Sequence, residues 1–196
     1  MARAGDVLYS PTFGERIQFV KTAADTHGEL LEMEATNDPN QEWESGVEHY
    51  HPQQDEHFEV LEGVLSVMLD GQEHTYVAGE QFDIPCGVVH NMRNRSSKPV
   101  RFRWQVRPAL NTETFFETVW GLSADGKLTP GTLSYLLQFA VLLQAYRQVF
   151  RVTTPSPLMQ RILFGILAAV GRLMGYRARY AKYSRPQIPD ERAATA

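Results

Sequence analysis

The stretch His49-Tyr50-His51-Pro52-Gln53-Gln54-Asp55-Glu56-His57-Phe58-Glu59-Val60 decides the fold. His49 and His51 stand two apart in an extended run, so both side chains fall on the same side of a sheet. Pro52 to Asp55 form a turn, and the chain then re-enters an alternating run in which Glu56 shares parity with Phe58 and Val60. With those apolar residues turned inward, Glu56 turns inward too, while His57 and Glu59 face out. Beyond the turn Pro85-Cys86-Gly87, His90 shares parity with Met92. Parity therefore predicts three imidazoles and one carboxylate converging from three strands on one interior point. Four such groups are costly to bury unless a metal or full pairing satisfies them. The same parity makes His57 and His74 surface or edge residues, and His27, in a Thr-His-Gly turn, a loop residue.

Short alternating runs separated by turn residues extend outward from this stretch, from about residue 15 to residue 108. They predict antiparallel strands at Glu29 to Ala35, Gly46 to His51, Glu56 to Leu69, His74 to Val77, Gln81 to Ile84, His90 to Arg93 and Val100 to Val106. Asp70-Gly71 signals a two-residue hairpin, since both positions tolerate positive φ. In the last run Phe102, Trp104 and Val106 alternate with Arg101, Arg103, Gln105 and Arg107, which is the pattern of a sandwich or small barrel.

After Pro108 the period changes to that of helices. Thr114 and Glu117 have the spacing of a capping box, in a short helix ending near Gly121. A second helix is predicted over 132–151. Ser156 and Pro157 then start a third, running through Leu158, Ile162, Ile166, Ala169, Val170 and Leu173 to near Gly175. The tail from about Ser184 reads as frayed. The chain thus divides into a β-barrel over 1–110 and a helical extension over 111–196.

Net charge of −4 hides an asymmetry: residues 1–130 carry 10 Lys and Arg against 21 Asp and Glu, whereas residues 131–196 carry 9 against 2. The basic residues are spread along apolar helical patterns, so nucleic acid is not an expected partner. Arg161 and Arg172 interrupt the apolar segment Leu158 to Tyr176, leaving too short a run to span a bilayer. The favoured expectation is a helical hairpin packed on the acidic barrel or across a homodimer; contact with an anionic membrane surface is the alternative. The single cysteine, Cys86, and the lack of a signal-peptide pattern in the first residues suggest a cytoplasmic protein.

The spacing His49-x-His51-x4-Glu56-x6-Gly63 resembles the first motif of the cupin superfamily, and Gly79-x5-Pro85-x-Gly87-x2-His90-x3-Asn94 resembles the second. Fifteen residues separate Gly63 from Gly79, as in compact bacterial cupins. One position departs: the glycine usual six residues before the first histidine is Trp43, with Gly46 only three before. The resemblance implies a mainly β cupin barrel, a double-stranded β-helix or jelly roll, with a C-terminal α-helical extension. It implies metal ligands His49, His51, Glu56 and His90, and architectural roles for Gly63, Gly79, Pro85, Gly87 and Asn94. The whole chain is also similar to single-barrel bacterial cupins with such an extension, on Gly14-Glu15-Arg16, Gly28 to Glu32 and Gly171 to Tyr180.

Three imidazole nitrogens and one carboxylate suit a single divalent ion of Fe, Mn, Ni, Co or Zn, with positions left for substrate or O2. The expected lining is apolar: Phe58, Val60, Phe82, Ile84, Met92, Phe102 and Trp104. No second acid or base is evident in it, and Arg101, Arg103 and Arg107 have the wrong parity to bind a sugar phosphate. The leading expectation is a quercetinase-like dioxygenase for a small aromatic or apolar substrate that chelates through oxygen, with Glu56 taking the substrate proton. A non-catalytic binding or sensing barrel is the first alternative, and a metal-dependent isomerase or lyase the second.

Overall fold

The computed structural model describes residues 2–41 and 47–184. Trp43, Gly46 and the tail after Ser184 lie outside the described residues. Ten strands come first: β1 (Val7–Ser10), β2 (Glu15–Lys21), β3 (Leu31–Asn37), β4 (His49–Tyr50), β5 (Asp55–Glu62), β6 (Val64–Leu69), β7 (Gln72–Val77), β8 (Gln81–Ile84), β9 (His90–Arg93) and β10 (Val100–Arg107). Helices α1 (Thr112–Ala124) and α2 (Leu133–Ala145), a short strand β11 (Arg151–Val152) and helix α3 (Pro157–Leu173) complete the chain.

The strands form two antiparallel sheets, ordered β1-β2-β3-β10-β5-β8 and β11-β4-β9-β6-β7. Alternation puts one face of each sheet into a common core. Phe58, Val60 and Phe102 from the first sheet and Leu65 and Val67 from the second are fully buried there. On the opposite face of β10 the guanidinium of Arg101 pairs with Glu34, and that of Arg103 with Glu59. The predicted alternation is thus resolved into an apolar inner row and an ion-paired outer row.

The predicted run from Glu56 to Leu69 is two strands, broken at Gly63. Its φ is +85°, and a Cβ there would lie 2.7 Å from the Pro99 carbonyl oxygen, so only glycine lets the chain change sheets so close to β10. Asp70 and Gly71 both take positive φ, closing the β6–β7 hairpin as their sequence signals.

The helical half departs further from expectation. Helix α1 begins at Thr112, so Thr114 and Glu117 lie inside it and form no capping box; its N-cap, Asn111, makes no side-chain cap bond. Helix α2 is capped by Thr132, which accepts from the Tyr135 amide, but it ends at Ala145 rather than 151. Arg151 and Val152 instead pair with Tyr50 and His49. Local helical period yields here to a tertiary strand pairing. Helix α3 starts with Pro157 in its first turn, as expected. Its inner side chains Phe164 and Ala168 pack with Ala140, Val141 and Val152 in a smaller core of their own, while Phe115, Phe116, Trp120 and Leu142 of α1 and α2 join the barrel's core. No helix among the described residues is long and apolar enough to cross a membrane.

Candidate metal centre

His49 and His90 face each other as direct register partners on β4 and β9. His51 follows β4 by one residue, and Glu56 enters on β5 after the intervening turn. The structure brings all three imidazoles together: one ring nitrogen from each lies within 4.8 Å of the others. His51, His90 and Glu56 are buried, and His49 is half-buried.

Backbone carbonyls orient every ring. Val47 O lies 2.8 Å from His49 Nδ1, Val149 O lies 2.5 Å from His51 Nδ1, and Val88 O lies 3.0 Å from His90 Nδ1. Each Nδ1 that donates to its carbonyl leaves Nε2 as a bare lone pair, the tautomer a metal ligand requires. The Nε2 atoms of His51 and His90 are buried without a hydrogen bond, and so is Oε2 of Glu56. They stand 3.4 and 3.2 Å from the carboxylate oxygens of Glu56 without hydrogen-bond geometry. Buried polar atoms that face one another in this way are suited to hold a metal ion between them. The donor set, imidazole nitrogen plus a hard oxygen, fits a divalent transition metal and not a closed thiolate zinc site.

The electrostatics agree. Burial, helped by the adjacent His90 and His51, holds His49 well below the ordinary histidine range, so it is neutral. Burial lowers His51 as well and outweighs the pull of Glu56. At His90 burial is overcome by contact with the Glu56 carboxylate, and the net shift is upward. Burial opposes the charge on Glu56, yet His51, His90 and the indole of Trp104 together keep it ionised. An ion bound here would compete with the proton that the Glu56 contact favours on His90.

The remaining histidines lie away from this point. His57 pairs with Asp83 at 2.8 Å on the outer face of β5, His74 is exposed on β7, and His27 occupies a turn with φ +53°.

A cavity of about 160 Å³ opens beside His49 and His51. Of the expected lining residues, Met92 and Trp104 border it. Phe58, Phe82 and Phe102 do not; with Val60 and Ile84 they fill the barrel, Phe58 stacked on Phe82 at 4.9 Å. Parity turned them inward correctly, but the barrel interior is closed by its own side chains. The walls come instead from the helical half: Phe115, Phe116, Trp120, Leu142 and Phe150. Phe150 stacks on His49 with ring centroids 4.6 Å apart and planes inclined by 27°.

Two charged residues that parity did not place inside also border the cavity, Glu15 on β2 and Arg93 on β9. Burial pushes the Glu15 carboxyl up to about 7 against the lowering influence of Arg93, and burial brings Arg93 down to about 10. Strand parity alone places neither residue at the site.

Residues 39–106 match the sequence profile of the cupin domain family. A 65-residue stretch is 35% identical to the tetracenomycin polyketide synthase protein TcmJ of Streptomyces glaucescens, covering 33% of this chain and 44% of TcmJ. This chain therefore spans less than half the length of that relative. Among solved structures, an RmlC-like cupin from Shewanella frigidimarina aligns with a TM-score of 0.46 at 20% identity, over 58% of this chain and 93% of that one. KdgF from a Halomonas species aligns with a TM-score of 0.44 at 18% identity, over 51% and 85% respectively.

Proposed function

We propose that this chain, whose residues 39–106 match the cupin domain family, is a metal-dependent oxygenase acting on a small aromatic or apolar substrate that chelates through oxygen. The observation that carries this reading is the set of buried, unbonded atoms, His51 Nε2, His90 Nε2 and Glu56 Oε2, gathered with His49 beside an aromatic-walled cavity. A divalent ion held by these four residues would supply Lewis-acid chemistry, and redox chemistry as well if it were Fe, Mn, Ni or Co rather than Zn.

The chain's own residues would do the rest. Phe115, Phe116, Trp120 and Phe150 form an apolar wall that selects an aromatic or otherwise apolar body and excludes water. Glu56, with Oε1 accepting from Trp104 Nε1 at 2.9 Å, would take the proton of a substrate hydroxyl on Oε2 once that oxygen loosens from the ion. The name of TcmJ points the same way, since a polyketide is a carbon chain carrying several oxygens. The sole cysteine, Cys86, is free, which suits the reducing cytoplasm we assign to the protein.

The test is oxygen consumption by the full chain loaded in turn with Fe(II), Mn(II) and Ni(II), offered catechol- and flavonol-like compounds. Uptake with at least one metal, abolished in a His49→Ala/His90→Ala variant that no longer retains the metal, is the expected result. Tight binding of these compounds without oxygen uptake under all three metals would leave a non-catalytic binding barrel.

A further inference from the structure

Helix α3 has two apolar sides, and only one is covered. Phe164, Ala168 and Gly171 face α2 and are buried. On the other side Leu158, Ile162, Ile166 and Leu173 are 69%, 57%, 61% and 89% exposed, with Met159, Leu163, Val170 and Met174 filling the same arc. Leu133 and Leu136 of α2 are exposed as well. Neighbouring large apolar side chains in this number mark an interaction surface rather than scattered surface residues.

Charge identifies the occupant. Residues 131–184 contain seven Lys and Arg and no Asp or Glu. Arg161 and Arg172 lie eleven residues apart, three helical turns, and so share one border of the exposed apolar arc. Arg147, Arg151 and Arg161 line a groove of about 590 Å³ between α2 and the start of α3. A second copy docked antiparallel through this face, about a two-fold axis perpendicular to α3, would set the arginine border against its own copy. An apolar stripe bordered by cations instead matches the boundary between acyl chains and anionic headgroups, with the arginines reaching up to the phosphates.

We propose that the exposed face of α3, with the arginine-lined groove beside it, seats the protein on a membrane surface rich in anionic phospholipid. The helix lies in the plane of that surface and does not cross it. The inference is independent of the metal centre's chemistry.

Sedimentation of the full chain with vesicles tests it. Binding is expected to phosphatidylcholine vesicles containing phosphatidylglycerol, far more weakly to phosphatidylcholine alone, and to fall as salt is raised from about 0.1 M to about 0.5 M. Arg161→Gln and Arg172→Gln should each lower affinity for the anionic vesicles about fivefold and leave the neutral ones unchanged. Ile162→Glu/Ile166→Glu should abolish binding at unchanged far-ultraviolet circular dichroism; where that variant does not fold, the two arginine variants decide alone. Absence of binding, or equal binding to neutral and anionic vesicles, overturns the proposal. So does a dimer, seen by light scattering, that Ile162→Glu/Ile166→Glu converts to monomer while wild type ignores vesicles, since α3 is then a subunit interface.

Discussion

Trp104 Nε1 donates a 2.9 Å hydrogen bond to Glu56 Oε1, and this bond leaves Oε2 as the carboxylate oxygen nearest His90. Both residues are buried, and among the described residues no backbone group performs the same task for Glu56 as the carbonyls do for the histidines. Trp104→Phe keeps an aromatic ring in the wall but removes the donor. Metal affinity, measured by competition with a chromophoric chelator, should fall about 10–100-fold. An unchanged affinity would show that the indole fills space and does not position the carboxylate.

Phe150 comes from the helical half of the chain and stacks on His49. Phe150→Ala should weaken metal binding about tenfold by freeing the His49 ring. Because Phe150 is half-buried, the stability cost should be about 2 kcal/mol, below that of a fully buried phenylalanine. Phe150→Leu should recover much of the stability but little of the affinity. Urea unfolding and chelator competition on the same samples separate the two effects.

Gly63 and Gly79 both have positive φ, but their surroundings differ. A Cβ on Gly63 would meet backbone atoms of Pro99 and Val100, whereas one on Gly79 would meet nothing within 4 Å. Gly79→Ala should therefore cost only the conformational term, about 1–2 kcal/mol. Gly63→Ala should cost clearly more, because the β10 backbone must shift as well. Equal urea midpoints for the two variants would refute this account.

Glu15 gives the fold a pH dependence of definite sign. Its carboxyl is raised by burial from 4.5 to about 7, so the folded state holds a proton that the unfolded state has already lost. Its contribution is thus fully favourable below about 4.5 and is lost as pH rises toward 7. The stability of wild type relative to Glu15→Gln should fall between pH 5 and pH 7.5, with other groups cancelling in the difference. A flat difference over that range would mean that Arg93 keeps Glu15 ionised throughout.

Much of the barrel was legible because strand parity is a local property. His49, His51, Glu56 and His90 could be sent inward, and His57 outward, from alternation alone, with no knowledge of which strands pair. Phe58 and Phe102 were sent inward by the same logic, but parity cannot separate a side chain that fills the barrel from one that lines its cavity. That distinction depends on where the interior is capped. The cap is made by Phe115, Phe116, Trp120 and Phe150, whose contacts are set by long-range packing. Strand β11 escaped for the same reason: Arg151 and Val152 continue a plausible helical period, and only the waiting edge of β4 makes them extended.

The pairing of Val152 with His49 and the bond from His51 to the Val149 carbonyl bear on the order in which the protein is made. Every candidate ligand has left the ribosome once residue 90 emerges, yet the groups that fix His49 and His51 are translated some sixty residues later. Until then β4 is an open sheet edge and the two rings lack their final restraints. The nascent barrel holds its ligands in an unfinished arrangement, and a fully shaped binding site arises only near the end of synthesis.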